Sequence, residues 1–530
     1  MSGDAPVANP GGSLLARVFI ISNRVGIPNS ARGVHAGGLE VALRATLKRH
    51  SCVWLGWSGA VKEAGKIETR TVSQAGNRFI VTDLSEEDFQ EYYNGFANRV
   101  LWPIFHYRLD LAEFSRRDLS GYLRVNEHFA DQLDMVLEPD DIVWVHDYHL
   151  IPLAKALRRR GRENRVGFFL HIPLPPPEVL TAMPNHEGLI PALTEYDLVG
   201  FQTDGDAANF ARYLANECGM PAHIQRSFEG GKRVMRIGTF PVGIDARTFN
   251  RCARRAVRSS FVRRVLDSVR GAIILGVDRL DYSKGLALRL DAFERFLIGN
   301  PQFRGEVTYM QITPKSRSDI PEYVDMERSI DTAAGRINGT YGDVSWTPVR
   351  YTNRPYSRTA LSGLYRAARV GLVTPLRDGM NLVAKEYVAA QDAENPGVLV
   401  LSRFAGAAAE FGTAALLVNP YDPEAVGSAI SRALAMPREE RVSRHAKLWE
   451  ALLRNDISMW GDRFLATLSE SRDETPRHSR RDAATGFTSH TNGGSWDKGA
   501  AISSNGRPSA AMPSASSVAA AASMSAPPRR

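Results

Sequence analysis

The chain has 530 residues, too many for one ordinary core, so two domains of a few hundred residues each are expected. With 43% hydrophobic and 23% charged residues it has a soluble globular composition, and no uninterrupted apolar segment is long enough to cross a bilayer, which argues against a membrane protein. Of the net charge of +8, +5 lies from Thr475 onward, in a tail rather than on a folded face, so a nucleic-acid partner is not expected.

Residues 1–16 read as a flexible leader without the basic start and apolar centre of a signal peptide, and a cytoplasmic location is expected. The first series of predicted strands is "RVFIISNR", "CVWLGWSG", "RFIVTDL", "DIVWVHDYH", "RVGFFLHIP", "DLVGFQ" and "RVMRIGTFPVGI". Helical patterns such as "GLEVALRATLKRH" and "LIPLAKALRRRG" lie between them, and "SEEDFQEYYNGF" opens on Ser85 and Asp88 in a near capping box. A basic helical stretch follows at about 245–270, read as a solvated connector. The second series is "AIILGVDRL", "VTYMQITP", "PVRYTNR", "VGLVTPL", "GVLVLS" and "ALLVNP", again with helices between. Continuous apolar strands alternating with helices imply parallel sheets covered on both faces. The expected fold class is therefore α/β, with two doubly wound domains facing each other. They are placed at 17–248 and 249–472, with the last helix free to return to the first domain. Residues 473–530 are rich in Ser, Ala, Pro and Gly and are expected to be a disordered tail. Cys52, Cys218 and Cys252 form no Cys-x-x-Cys pair, which excludes a cysteine-only zinc site and suits a reducing compartment.

In open α/β sheets, ligands bind beyond the carboxyl ends of the strands. Two such junctions are unusually polar. "PLRDGMNLVAKEY" (375–387) sets Arg377, Asp378, Lys385 and Glu386 where a strand hands over to a helix near Leu382. "VDRLDYSKGL" sets Arg279 and Lys284 at the same kind of edge. Two cations with a helix N-terminus make a diphosphate clamp, and Glu386 can accept hydrogen bonds from vicinal sugar hydroxyls. Either junction alone is equally well explained as a capped helix with surface ion pairs; the two together favour a nucleotide-type ligand. In the first half, "SNR" (22–24), "HAGGLE" (35–40), "HDYH" (146–149) and "FLHIP" (169–173) end strands or open helices. Gly37 and Gly38 let a ligand approach the backbone. His146 and His149 lack evident companions for a metal, and His171 is open to a structural or a functional role. There is no G-x-G-x-x-G, no G-x-x-x-x-G-K-[ST] and no H-E-x-x-H, and "GWSG" (56–59) is one residue short of a nucleophile elbow.

"SNR…HAGGL", "EYYNGFANRVLWPIFHYR", "WVHDYHL", "GFFLHIPLPPPE", "GFQT", "RLDYSKG", "AGRINGTYG" and "TPLRDGMNLVAKEYVAAQ" together resemble the retaining trehalose-6-phosphate synthases from about residue 17 to 472. The resemblance implies two Rossmann-like domains of the GT-B type and transfer of glucose from UDP-glucose to glucose 6-phosphate. It assigns Gly37, Gly38, Arg279, Lys284 and Leu382, Val383, Ala384, Lys385 and Glu386 to the nucleotide sugar. Arg24, Tyr93, Asp147 and Arg317 go to glucose 6-phosphate, Trp102 and Ile172 to choice of the acceptor's anomer, and His171 and Asp378 to the transferred glucose. Tyr356 departs from a phenylalanine common near the uracil, which leaves the donor base open. No metal or other cofactor is implied, and a homo-oligomer is, with a tetramer as one form. The alternatives are a relative using GDP- or ADP-glucose or a glycerol-phosphate acceptor, and an inactive regulatory homologue.

Overall fold

The structure, a computed structural model, describes residues 17–26, 38–47, 49, 52–63, 66–74, 76–220, 224–228, 231–315 and 321–470. The leader, Gly37, Arg317 and the 473–530 tail lie outside them.

The first sheet has nine strands: β1 Val18–Arg24, β2 Cys52–Lys62, β3 Thr69–Gln74, β4 Asn77–Ser85, β5 Ile142–His146, β6 Arg165–Phe169, β7 Leu198–Phe201, β8 Ile224–Phe228 and β9 Gly231–Thr239. Their order is β3-β4-β2-β1-β5-β6-β7-β9-β8. The second sheet has six: β10 Ala272–Val277, β11 Val307–Ile312, β12 Val349–Thr352, β13 Val370–Val373, β14 Val398–Ser402 and β15 Leu416–Val418, in the order β12-β11-β10-β13-β14-β15. All pairs in the second sheet are parallel. In the first, only the hairpins β3–β4 and β8–β9 are antiparallel. Strands such as β5 (IVWVH) and β14 (VLVLS) are buried along their whole length, as strands covered on both faces must be. The architecture is thus two Rossmann-like α/β halves within one compact unit.

The chain runs from the first sheet to the second and then returns. Its last described helix, Ile457–Glu470, lies on β6 and β7 because Gly167 and Gly200 leave room for Phe464; a Cβ at either would sit 2.7–2.8 Å from that ring. Phe464 then stacks on Trp144 of β5 and Trp460 packs tilted against it, with ring centroids 4.8 and 4.9 Å away.

Two features differ from the sequence reading. β3 and β8 are additional edge strands; β3 (TRTVSQ) is mostly exposed, so it carries no apolar run. The helix capped by the Ser85 hydroxyl, which accepts from Asp88 N–H at 2.9 Å, widens into π-helical turns over Phe89–Leu101. The basic connector is two helices, Ala246–Ala256 and Ser260–Asp267, with Ser259 capping the second.

Candidate functional site

The second sheet contributes two loops at its carboxyl edge. Beyond β10, Asp281 Oδ1 accepts from Ser283 N–H at 2.9 Å, forming a tight turn over Tyr282–Lys284. Gly285 leaves that turn at φ +65°, and an added Cβ would meet Thr374 O at 2.9 Å, so only glycine suits both conformation and space. Lys284 is thereby aimed at the neighbouring loop, its Nζ 2.6 Å from Asp378 Oδ2. The same oxygen accepts from Asn381 Nδ2 at 3.0 Å. Asn381 stands at φ +80° and caps the helix Leu382–Ala390, its Oδ1 taking the Ala384 N–H at 3.0 Å. The amides of Leu382 and Val383 precede the first intrahelical acceptor, and both residues are half-buried at the helix mouth. Arg279 is exposed at the carboxyl end of β10, on the same loop as Lys284.

Beneath this loop, Arg289 is fully buried and braces it from three sides. It pairs with Asp278 at 2.5 Å, donates from Nε to Thr374 Oγ1 at 2.9 Å, and reaches the Lys284 carbonyl at 3.2 Å. Further along, Glu386 faces Arg358 at 3.3 Å; burial pushes its carboxyl above the usual range and Arg358 opposes that. Tyr356, two residues before Arg358, packs on Phe261 with centroids 5.6 Å apart. The Lys385 side chain turns away from this loop, which leaves its backbone as the part that lies at the helix mouth. Lys385 is 1% exposed and its Nζ is committed to Glu410 and to the Val242 carbonyl at 2.8 Å. One residue along a helix turns the side chain by about 100°, so Lys385 faces the core while Glu386 faces the loop.

The first sheet contributes the ends of β1, β5 and β6. His146 Nδ1 lies 3.1 Å from His171 Nε2, and the His171 backbone N–H reaches Asp147 Oδ1 at 3.3 Å. Asp147 stands at φ +76°, a conformation that costs a non-glycine residue about 1–3 kcal/mol and that clusters at functional sites. Tyr93 lies between His149, stacked at 5.9 Å, and Trp57 at 5.6 Å, and the Arg24 guanidinium sits 5.8 Å over Trp57. Trp102, 5% exposed, packs on Tyr148 at 5.7 Å and on His106 at 4.1 Å. Ile172 is buried beside His171. Burial lowers the His106 pKa to about 4 and that of His171 to about 3, so both rings are neutral near pH 7. Gly38 begins the helix Gly38–Leu47, whereas Gly37 and Arg317 fall outside the described residues.

The halves meet at these edges. Gly379 is pressed against His171: a Cβ there would lie 2.1 Å from the His171 carbonyl oxygen. Arg377 is sandwiched 3.9 Å over Tyr107 of the first half and 4.9 Å over Phe404 of the second. Arg108 lies 5.5 Å over Tyr282. His171, Ile172, Asp378 and Lys284 therefore share one cleft, with the Arg24–Trp57–Tyr93–His149 chain of contacts leading away on the first-sheet side. The arrangement offers cations and helix amides to an anion on one wall, and aromatic rings, an arginine and Asp147 to a polar ligand on the other.

Residues 29–470 match the family model of glycosyltransferase family 20. A trehalose-6-phosphate synthase of Sinorhizobium fredii is 52% identical over 469 residues, covering 87% of this chain and 99% of that protein. The crystal structure of a UDP-forming α,α-trehalose-phosphate synthase from Burkholderia xenovorans in complex with glucose-6-phosphate is similar at a TM-score of 0.80 and 44% identity, covering 85% of this chain and all of that one. A trehalose-6-phosphate structure from E. coli bound with UDP-2-fluoro glucose is similar at a TM-score of 0.79 and 44% identity, covering 86% and 99%.

Proposed function

The chain belongs to glycosyltransferase family 20, and from that membership we propose that it transfers glucose from UDP-glucose to glucose 6-phosphate, giving α,α-trehalose 6-phosphate and UDP. The observation that carries the reading is the Lys284–Asp378–Asn381 cluster at the head of the helix Leu382–Ala390, set directly against His171 of the opposite half.

The donor diphosphate lies at the Leu382 and Val383 amides, with Lys284 and Arg279 neutralising the charge that grows as UDP leaves. Lys284 is already held at the cleft by Asp378 and by the Arg289 brace, so little reorganisation accompanies the reaction. Glu386 accepts from the ribose hydroxyls and the Tyr356 ring lies near the base. Arg24 and Tyr93, with Asp147, hold the acceptor, joined by Arg317. Trp102 and Ile172 wall the acceptor's anomeric end. Asp378 orients hydroxyls of the transferred glucose and is not a nucleophile: one of its oxygens already serves Lys284 and Asn381, and an ammonium-paired carboxylate is weakly nucleophilic. Retention then follows from front-face attack, in which the departing phosphate oxygen takes the acceptor's proton.

Because the cations come from the protein, the reaction is proposed to need no metal. Three free cysteines, and the absence of a helix long and apolar enough to cross a membrane among the described residues, support a cytoplasmic enzyme. A homo-oligomer, with a tetramer as one form, is proposed from the resemblance alone. Incubating the protein with glucose 6-phosphate and UDP-, GDP- or ADP-glucose tests the reading. UDP-glucose is expected to give the fastest nucleotide release, and release that ignores glucose 6-phosphate would refute the acceptor assignment.

A further inference from the structure

Of the two histidines at the ends of β5 and β6, only His171 faces the cleft. His146 is fully buried, yet its Nδ1 sits 3.1 Å from His171 Nε2. Two neutral imidazoles can share that bond in two ways. Either His146 donates from Nδ1, which leaves His171 with its proton on Nδ1, or His171 donates from Nε2 and keeps a lone pair on Nδ1.

The surroundings of His146 decide between them. Its ring lies 4.5 Å from Trp144 and 6.1 Å from Trp460, and these indoles are 4.9 Å apart. His146 Nε2, Trp144 Nε1 and Trp460 Nε1 are all buried without a hydrogen-bond partner among the described residues. An indole nitrogen is always a donor. A proton on His146 Nε2 would add a third buried N–H without a partner to the two indoles', whereas a lone pair there leaves no further donor unpaired. Buried N–H groups without a partner are the rarer and costlier case.

We propose that His146 is a positioning residue that fixes His171 in the Nδ1–H form, so that His171 presents a hydrogen-bond donor to the transferred glucose. Asp378 is held against the same spot, since Gly379 abuts the His171 carbonyl. A sugar hydroxyl placed between them therefore meets a donor on one side and a carboxylate acceptor on the other. Burial keeps both rings uncharged, His171 at about 3, so the tautomer and not the charge is what His146 controls. The Asp147 carboxylate accepts from the His171 backbone N–H at 3.3 Å, which ties the ends of β5 and β6 together.

The inference rests on the proposed glucosyl transfer for its catalytic consequence, but not for the tautomer itself. Long-range 1H–15N correlation spectra of the full chain labelled at histidine, assigned with His171→Gln, read the tautomer directly. The expected result is a proton on His171 Nδ1. A proton on Nε2 overturns the proposal, whatever the turnover and even if the variants below fold poorly.

Kinetics supply the second arm. His146→Asn keeps an N–H near the position of Nδ1, while His146→Asp places an acceptor there and forces His171 into the Nε2–H form. Asn is expected to retain kcat within about threefold, and Asp to lower kcat at least about tenfold, roughly the worth of one hydrogen bond, with the KM for glucose 6-phosphate little changed. Equal losses in the two variants overturn the proposal in favour of a packing role. If the unaltered chain released no UDP, the functional reading would fail while the spectrum still judged the tautomer.

Discussion

Replacing Gly379 by alanine perturbs the cleft where its two walls touch, without removing any polar group. The new Cβ would lie 2.1 Å from the His171 carbonyl oxygen and 3.0 Å from the carbonyl carbons of His171 and Ile172. A carbon and a carbonyl oxygen in ordinary contact are more than about 3 Å apart, so the overlap is roughly 1 Å, and the obstacles are backbone atoms that cannot rotate away. The β-strand cores on either side are untouched, so the relief is a separation of the two walls by about 1 Å. A misplacement of that size between reacting groups typically costs about 10²-fold in rate. The expected outcome is therefore kcat down about 100-fold with the thermal midpoint nearly unchanged. Steady-state kinetics with both substrates varied, beside a thermal melt, make the measurement. A kcat within about threefold of the parent would refute the reasoning, since it would show that the walls need not meet at Gly379 and His171.

Lys284→Ala removes the cation paired with Asp378 and should lower kcat by about 10²–10³ while the fold persists; near-normal turnover would remove Lys284 from the clamp. Glu410→Ala leaves the Lys385 ammonium buried with only the Val242 carbonyl, and should cost about 3–5 kcal/mol of stability in a denaturant titration, whereas replacing both partners by Met and Leu should cost much less. Stability should also fall with acid in a defined window. His106, His146 and His171 are held below the ordinary histidine pKa by burial, so the unfolded chain takes up protons below about pH 6.5 that the folded chain refuses until about pH 4 for His106 and about pH 3 for His171. Each contributes up to about 1.4 kcal/mol per pH unit, so the melting midpoint should drop between pH 7 and 5, and a flat midpoint would contradict it.

Much of this was legible before the structure because buried parallel strands announce themselves as apolar runs. "AIILGV" and "GVLVLS" correspond to β10 and β14 almost residue for residue. The polar junctions that follow such runs held Lys284, Asp378 and Glu386, since residues that no core needs stand out beside a strand end. β3 was missed because an exposed edge strand has no such signature, and β8 (IQRSF) because it carries no apolar run. Adjacency along a helix does not give direction, so the sequence could not show that the Lys385 amine turns to Glu410 across the core. Arg289 and Tyr107 act through partners distant in sequence. Arg289 meets Thr374 and Gln311, and Tyr107, at φ +63°, receives Arg377 from the other half; no local pattern reports either contact.

The most direct test of a cleft that joins a nucleotide sugar on the second sheet to a hexose phosphate on the first is the product itself. The purified chain, treated with EDTA, is supplied with UDP-[1-13C]glucose and glucose 6-phosphate, and the anomeric carbon is followed by NMR. One equivalent of UDP should appear for each labelled α,α-linked disaccharide phosphate. Release of free labelled glucose without the disaccharide, or a β linkage at the labelled carbon, would contradict the account.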